Sequence, residues 1–254
     1  MSLETQIAAL VTAANNLTAA VNGKMGQIDQ KVLDAKAAYD AQLANVKAIL
    51  PRMAVTRNLR MRNSVNAALI DNWGIHAEVT ATHVMNIAAT SEATGRPASN
   101  VLKLAEIEAD VKEQFPDFSI LKSAHYRNDF NIWRMQWAAN ASGVNYLAFP
   151  HAADGDQAAS VPRNSYLTLG GFVRVVEGGL ENQRWAKGWQ LGKWRWCSDI
   201  QGPSRGFGSY VHMHPNRNTS AGIVEVALAG AVTGVIEHPG EWFAMFQLGA
   251  ASSS

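Results

Sequence analysis

The chain has 254 residues, 47% hydrophobic and 17% charged, with a formal net charge of +1 at pH 7. That balance excludes bulk electrostatic attraction to nucleic acid or to an acidic membrane surface. A single cysteine, Cys197, excludes an intrachain disulfide framework and a cysteine-rich zinc site.

No apolar run reaches the length of a membrane-spanning helix, so no membrane insertion is expected. Glu4, Thr5, Gln6, Asn15 and Asn16 interrupt the opening, and no secretory leader is expected.

The first fifty residues carry a narrow apolar seam. Leu3, Ile7, Leu10, Ala14, Leu17 and Val21 alternate at spacings of four and three, the a/d pattern of a coiled coil. The seam continues through Met25, Ile28, Val32, Ala35, Tyr39, Leu43, Val46 and Leu50. Consecutive steps of four, at Val21–Met25 and Tyr39–Leu43, are stutters that locally unwind a left-handed supercoil. Such a seam cannot bury itself, which predicts an oligomer held by an N-terminal helical stalk. The competing reading is one amphipathic helix lying on a globular domain, which ordinarily shows a broader apolar stripe. Gly23 and Gly26 each cost about 1 kcal/mol relative to Ala in a helix, so a break near Asn22–Gly26 is an open alternative. Unbroken, the stalk would span roughly 70 Å at 1.5 Å per residue, and Pro51 marks its stop.

Beyond the stalk, Arg52, Arg57, Arg60 and Arg62 are expected to solvate a connector or to pair with carboxylates of a neighbouring subunit, against the competing reading of a phosphate-binding strip. No aromatic residues interleave them to make a nucleic-acid strip. Ala77–Met85 is rich in β-branched residues and reads as a strand, and Ala89–Ala98 as a loop. Ser99 is the expected N-cap of a helix through Phe115, with Leu104, Ile107, Val111 and Phe115 on one face. Arg127–Asn140 reads as a second helix or an extended arm, with Phe130, Trp133 and Trp137 on one side. After Ser142 glycines and aromatics rise and alternation appears. Strands are expected at Asn145–Phe149, Ser165–Val176, Arg184–Cys197, Tyr210–His214, Gly222–Ala229, Ala231–Glu237 and Glu241–Leu248. The predicted class is therefore α+β. It comprises a coiled-coil stalk (1–50), a mixed connector (51–142) and an antiparallel β-sandwich (143–254).

Two stretches resemble a known family. The opening SLETQIAALVTAANNLTAAVNGKMGQIDQKV resembles the helical N-terminal segments of tailed-bacteriophage tail-fibre and tail-appendage proteins. The segment SAGIVEVALAGAVTGVIEHPGEWFAMFQ is similar to the compact β-modules that close such fibres. Residues 52–142 carry no part of the likeness. The resemblance implies a homotrimeric virion protein, assembled in the host cytoplasm. Its implied partners are its own copies, other phage tail or capsid proteins and, in a receptor-binding role, host surface glycan. Short fibre proteins of this kind also serve as adaptors, collar decorations or head fibres that touch only other virion proteins.

Three constellations are candidates for chemistry. His212 and His214, two residues apart, would face the same side of a strand. Three copies on an axis would supply six imidazole nitrogens, suited to iron or another transition metal, and the resemblance carries the same implication. The competing reading is a pair of surface or interfacial histidines. Trp185, Trp189, Trp194 and Trp196 with Arg195 form a second candidate, indoles and cations suited to sugar faces, against ordinary core use of tryptophan. Asp154 and Asp156 could form a carboxylate pair, but the ligand pattern of a calcium loop is lacking and both read as solvated turn formers. No phosphate loop, dinucleotide fingerprint, nucleophile elbow or zinc-protease helix occurs. The expectation is a structural protein without catalytic residues. A tailspike-type glycan-degrading enzyme is the alternative from another class, disfavoured by the short chain and the absence of a long repeated β-coil pattern.

Overall fold

A stretch with no proline and twelve alanines between Leu3 and Ile49 has little reason to break as a helix, and it does not. In the computed structural model, α1 runs unbroken over Leu3–Ile49, 47 residues. The structure describes residues 2–49, 52–64, 69–89, 95–121, 128–141, 143–155, 157–242 and 246–247. They divide into two units, Met1–Leu50 and Pro51–Ser254.

The alternative break at Gly23 and Gly26 does not occur. A Cβ at either position would meet nothing within 4 Å, and the surrounding helix formers outweigh the two glycines. The Thr12 and Thr18 hydroxyls donate to the carbonyls of Ala8 and Ala14 at 2.9 Å, and Lys36 pairs with Asp40 at 2.7 Å. Every side chain described from Ser2 to Val46 is exposed. The seam residues Leu3, Ile7, Leu10, Leu17, Val21, Ile28, Val32, Leu43 and Val46 range from 40% to 72% exposure. Val11 and Leu33, beside the seam, are equally open. No helix among the described residues is long and apolar enough to cross a membrane.

The second unit is built on one seven-stranded sheet. Its strands are β1 (Met53–Ala54), β3 (Val79–Ile87), β4 (Phe130–Trp137), β7 (Leu167–Glu177), β8 (Trp194–Gln201), β10 (Gly222–Thr233) and β11 (Phe246–Gln247). The long strand β10 is central. One side pairs antiparallel with β4 and then β3, the other with β7 and then β8. The far end of β10 pairs with β1, and β11 adds to β1 in parallel. Two small antiparallel pairs complete the unit: β2 (Trp73–Ile75) with β5 (Ala148–Pro150), and β6 (Ser160–Pro162) with β9 (Tyr210–His212).

Period-two alternation sorts the core onto two faces. Phe130, Ile132, Phe172, Trp194 and Trp196 pack under α2 (Ala98–Val111), which contributes Leu104, Ile107 and Val111. Trp133, Met135, Trp137, Val173, Val175, Val224 and Val226 form the opposite core, covered by Trp73, Leu147, Ala148, Leu180 and Trp185. A third cluster joins Val161, Val211 and Met213 of the β6–β9 region to Leu167, Leu169 and Ala231.

Several expectations are corrected here. The boundary expected near residue 142 is absent, because β3 and β4, from the supposed connector, are hydrogen-bonded into the same sheet as β7, β8 and β10. The architecture is not a sandwich of two large sheets, since α2 occupies one face and only short strand pairs lie elsewhere. Ser99 does not cap α2. Pro97 is its N-cap, with no side-chain bond, and the helix ends at Val111 rather than Phe115. Phe130 faces away from Trp133 and Trp137, because the segment is a strand. Arg184–Cys197 is not one strand. Arg184 has φ +57, Gly188 φ +97 and Gly192 φ +75, so the chain makes a 3-10 turn (Arg184–Ala186) and a loop before β8. Gly230 does not separate two strands, since β10 passes through it with a bulge beside Leu228, φ +54. Residues 50, 51, 156 and the tail from 248 lie outside the described residues, and so do the stop at Pro51 and the Asp156 half of the carboxylate pair.

Under α2 lies a row of charges. Glu225, 1% exposed on β10, stands between Arg134 on β4 and Arg174 on β7, at 2.6 Å and 2.5 Å. Arg174 also binds Glu106 of α2 and sits 5.3 Å over the Trp194 ring. Burial pushes the Glu225 carboxyl up. The hydrogen bond from Arg134 and the charge of Arg174 outweigh it and hold the group below its ordinary range. Glu225→Gln is expected to destabilise the second unit by about 3 kcal/mol, the low end for breaking a buried ion pair, read as a lower urea midpoint. Because the carboxyl is depressed, its contribution is complete at neutral pH and is lost as pH falls below about 4.5.

Candidate functional site

Strand β9 and the segment after it carry a run of aromatic and titratable side chains, Tyr210, His212 and His214. Strand β9 pairs with β6, so Val161 and Val211 point into the core while Tyr210 and His212 point out. Met213 is fully buried and its N–H bonds the Ala159 carbonyl at 2.9 Å. Pro215 ends the pairing with β6, and the chain crosses to a second neighbour: Leu147 N–H donates to Pro215, Arg217 N–H to Asn145, and Glu181 N–H to Asn216.

This path lines up a row of rings. Tyr210 meets His212 edge-on at 5.1 Å, His212 meets His214 at 5.2 Å, and His214 meets Tyr146 at 5.4 Å. Tyr146 in turn meets His76 at 4.8 Å and Phe149 at 5.5 Å, and Phe149 meets His151 at 5.9 Å. Exposure falls along the row, from exposed Tyr210 and His212, through half-buried His214 and Tyr146, to buried His76. The floor is Arg217, fully buried. Its guanidinium binds Glu78 at 2.9 Å, the Ala139 carbonyl at 2.7 Å and His76 Nδ1 at 3.1 Å.

Beside the row stands a compensated charge group. Asp199, nearly buried, takes Lys187 at 2.9 Å, and both the guanidinium and the backbone N–H of Arg184, at 3.3 Å and 3.2 Å. Glu181 accepts from Gln183 and Asn216 at 2.7 Å and 3.1 Å.

His212 and His214 do face one side, with Met213 opposite, as their spacing predicts. Within one chain they do not make a metal site. Among the described residues no group of three or more His, Cys, Asp or Glu is arranged to hold an ion. His214 Nδ1 is buried without a hydrogen-bond partner, and its ring lies tilted against those of Tyr146 and Phe149. The axial iron or other transition metal remains a property that only an assembly of chains could supply.

The tryptophan candidate is corrected. Trp185 and Trp194 are completely buried and Trp196 nearly so, and all three are core. Trp189 is half-buried, packed on the core, with its N–H on the Leu180 carbonyl at 2.9 Å. None of the first three presents a face to a sugar. Arg195, also buried, is consumed by Glu113, Gln190 and the Asp110 carbonyl. Cys197 is buried, and burial pushes its thiol far up, which leaves it without nucleophilic character. Asp154 is an exposed loop residue.

Sequence reasoning missed two parts of the site. Tyr146 and His76 are brought to His214 only by pairing between distant segments. Phe207, fully exposed, lies in a Gly-rich loop that carries no motif. The signal available was the string GPSRGFGSY: an aromatic residue between two glycines, next to a strand that ends in histidines.

The fold and the site define an α+β protein with a long solvent-facing helix and a sheet unit bearing a surface row of imidazole and aromatic rings. No family model, curated protein or solved structure matches the chain.

His214 and His151 are both held below the ordinary value of 6.5. Burial is the main cause at each, helped by the charge of His212 at His214 and of Arg57 at His151. The unfolded chain therefore binds protons near pH 6.5 that the folded chain refuses. Stability is complete above that value and falls as pH drops through it towards the folded values. Thermal melts are expected to be flat from about pH 8 to 7 and to decline between about pH 6.5 and 5. His214→Phe, which keeps a ring against Tyr146, should make that decline shallower.

Proposed function

We propose that this is a structural, non-enzymatic protein of a tailed-phage particle, a homotrimeric fibre or fibre-like appendage. It is assembled in the host cytoplasm and carried on the virion. Its helix α1 forms the trimeric stalk and its sheet unit the terminal module.

The observation that supports this reading is the seam of α1. A 47-residue helix with Leu3, Ile7, Leu10, Leu17, Val21, Ile28, Val32, Leu43 and Val46 all exposed is a large apolar area held in water. At about 25 cal/mol per Å2, covering it is a gain that rises with every seam residue buried. Copies of the same seam cover it in register, whereas an unrelated surface would need the same alternation. The number three comes from the likeness of the opening segment to phage-fibre stalks, because β-branched Ile7, Val21 and Ile28 suit dimers as well. An architectural adaptor, collar or head-fibre role uses the same assembly and differs only in what the sheet unit touches. A glycan-degrading tailspike is disfavoured by the short chain without a long repeated β-coil pattern, and the buried carboxylates Glu225, Asp199 and Glu108 among the described residues are each engaged by cations or backbone N–H groups.

Light scattering on the full chain is expected to give three times the chain mass of 27.5 kDa. Ile7→Asp together with Ile28→Asp should shift the product to monomer while the near-ultraviolet signal of the sheet unit's tryptophans is kept. A monomer mass for the unmodified chain would end this reading.

A further inference from the structure

The seam of α1 repeats with a period of its own. Leu3, Val21 and Tyr39 are spaced 18 residues apart, and so are Leu10, Ile28 and Val46. The two stutters, which begin at Val21 and Tyr39, are the joins between these repeats. Behind the seam the same spacing relates Ala19 to Ala37 and Ala20 to Ala38. A repeat of 18 residues is a whole number of α-helical turns at about 3.6 residues per turn. A heptad seam has the shorter period of about 3.5 and drifts around a straight helix, so its helices must coil left-handedly to stay in contact. A seam of period 3.6 does not drift. Leu3 and Val46 therefore lie along one edge of α1, which is continuous through both joins.

The two flanks of that edge differ in character. At about 100° per residue, Val11 and Asp29 fall to one side of the seam, and Ala13, Lys24 and Lys31 to the other. Asp29 and Lys31 enter no ion pair among the described residues. Lys36, on the Asp29 side, is already taken by Asp40 at 2.7 Å. Helices set side by side and parallel present unlike flanks to one another, and Asp29 of one then stands between the levels of Lys24 and Lys31 of the next. Antiparallel helices present like flanks, lysine to lysine. Charge thus selects the parallel arrangement. A flat foreign surface would also accept a straight seam, but it would leave the acidic and basic flanks without each other.

We propose that α1 packs against further copies of itself in parallel and in register, as a straight bundle without supercoil, joined along the seam by the 18-residue repeat. The same line of residues then stays inside from Leu3 to Val46, and no helix has to be underwound to keep it there. The inference rests on the appendage reading for the number of copies, and goes beyond it in orientation and geometry.

Single cysteines are to be placed in the full-length chain, which is then oxidised; the native Cys197 is buried. Leu10→Cys, Ile28→Cys and Val46→Cys, one line of the repeat, are expected to link chains by disulfides in equal yield. Ala14→Cys and Val32→Cys, also 18 residues apart and the gentler changes, should do the same. Lys31→Cys and Asn45→Cys, where a heptad begun at Leu3 would carry the seam, are expected to give less than about a tenth of that yield. Circular dichroism of each variant checks that the helix is kept. Linkage at Lys31 and Asn45 in place of Val32 and Val46 would overturn the straight bundle. Linkage at Ile28 alone, near the helix midpoint, would overturn the parallel arrangement, and a trimer linked at no seam position would overturn both. Any of these patterns in a chain that light scattering shows to be a trimer defeats this inference and leaves the appendage reading standing. A dimer linked evenly at Leu10, Ile28 and Val46 does the reverse, and a monomer defeats the two together.

Discussion

The sheet unit depends on one buried carboxylate. Glu225 lies in the middle of the central strand, with an arginine in register on each neighbouring strand. Removing a carboxylate from water costs several kcal/mol, and that cost is offset only when its partners are in place. A slip of one residue in β4 or β7 would put Trp133 or Met135, Val173 or Val175 opposite the charge and reverse every side chain on the slipped strand. Glu225 thus selects the register that sends Trp133, Met135, Trp137, Val173 and Val175 to one core and Ile132 and Phe172 to the other. The helix joins the same row through Glu106, so α2 is seated by the charges as well as by Leu104, Ile107 and Val111.

The two units deal with apolar surface in opposite ways. The sheet unit buries its large side chains internally, including seven of its tryptophans to within 8% of full burial. The helix buries none of its seam. That contrast was legible in the sequence for a physical reason: a period of three and four repeated from Leu3 to Val46 has no reading other than a helix with one apolar edge. The strands were legible as β3, β5, β7, β9 and β10, where alternation or β-branched runs are strong. What was not legible is long-range. The expected boundary at 142 followed a change in composition, yet β4, from the supposed connector, pairs directly with β10. Local texture carries no information about which strand lies next to which.

The site shows the same limit at the level of single side chains. The tryptophans at 185, 194 and 196 have the composition of a sugar platform, and only burial distinguishes a platform from a core. The left-handed Arg184, held by its N–H and guanidinium on Asp199, turns the chain so that Trp185 enters the core. The histidine pair was legible as a same-face pair because i and i+2 alternate in any strand. Its setting was not, since Tyr146 and His76 come from segments 66 and more residues away in sequence.

The row of rings couples a rigid floor to an open rim. Arg217, held by Glu78, His76 and the carbonyls of Ala139 and Asn145, fixes the crossing of residues 213–217 over residues 145–147. Met213 and Val211 then anchor the other face of the same segment in the core. With both faces committed, His214, His212 and Tyr210 have one direction left to point. The loop that follows β8 is clamped independently by Arg163. The turn that carries the exposed Phe207 is thus held at its two ends by the Arg163 bonds to Gly202, Ser204 and Ser209.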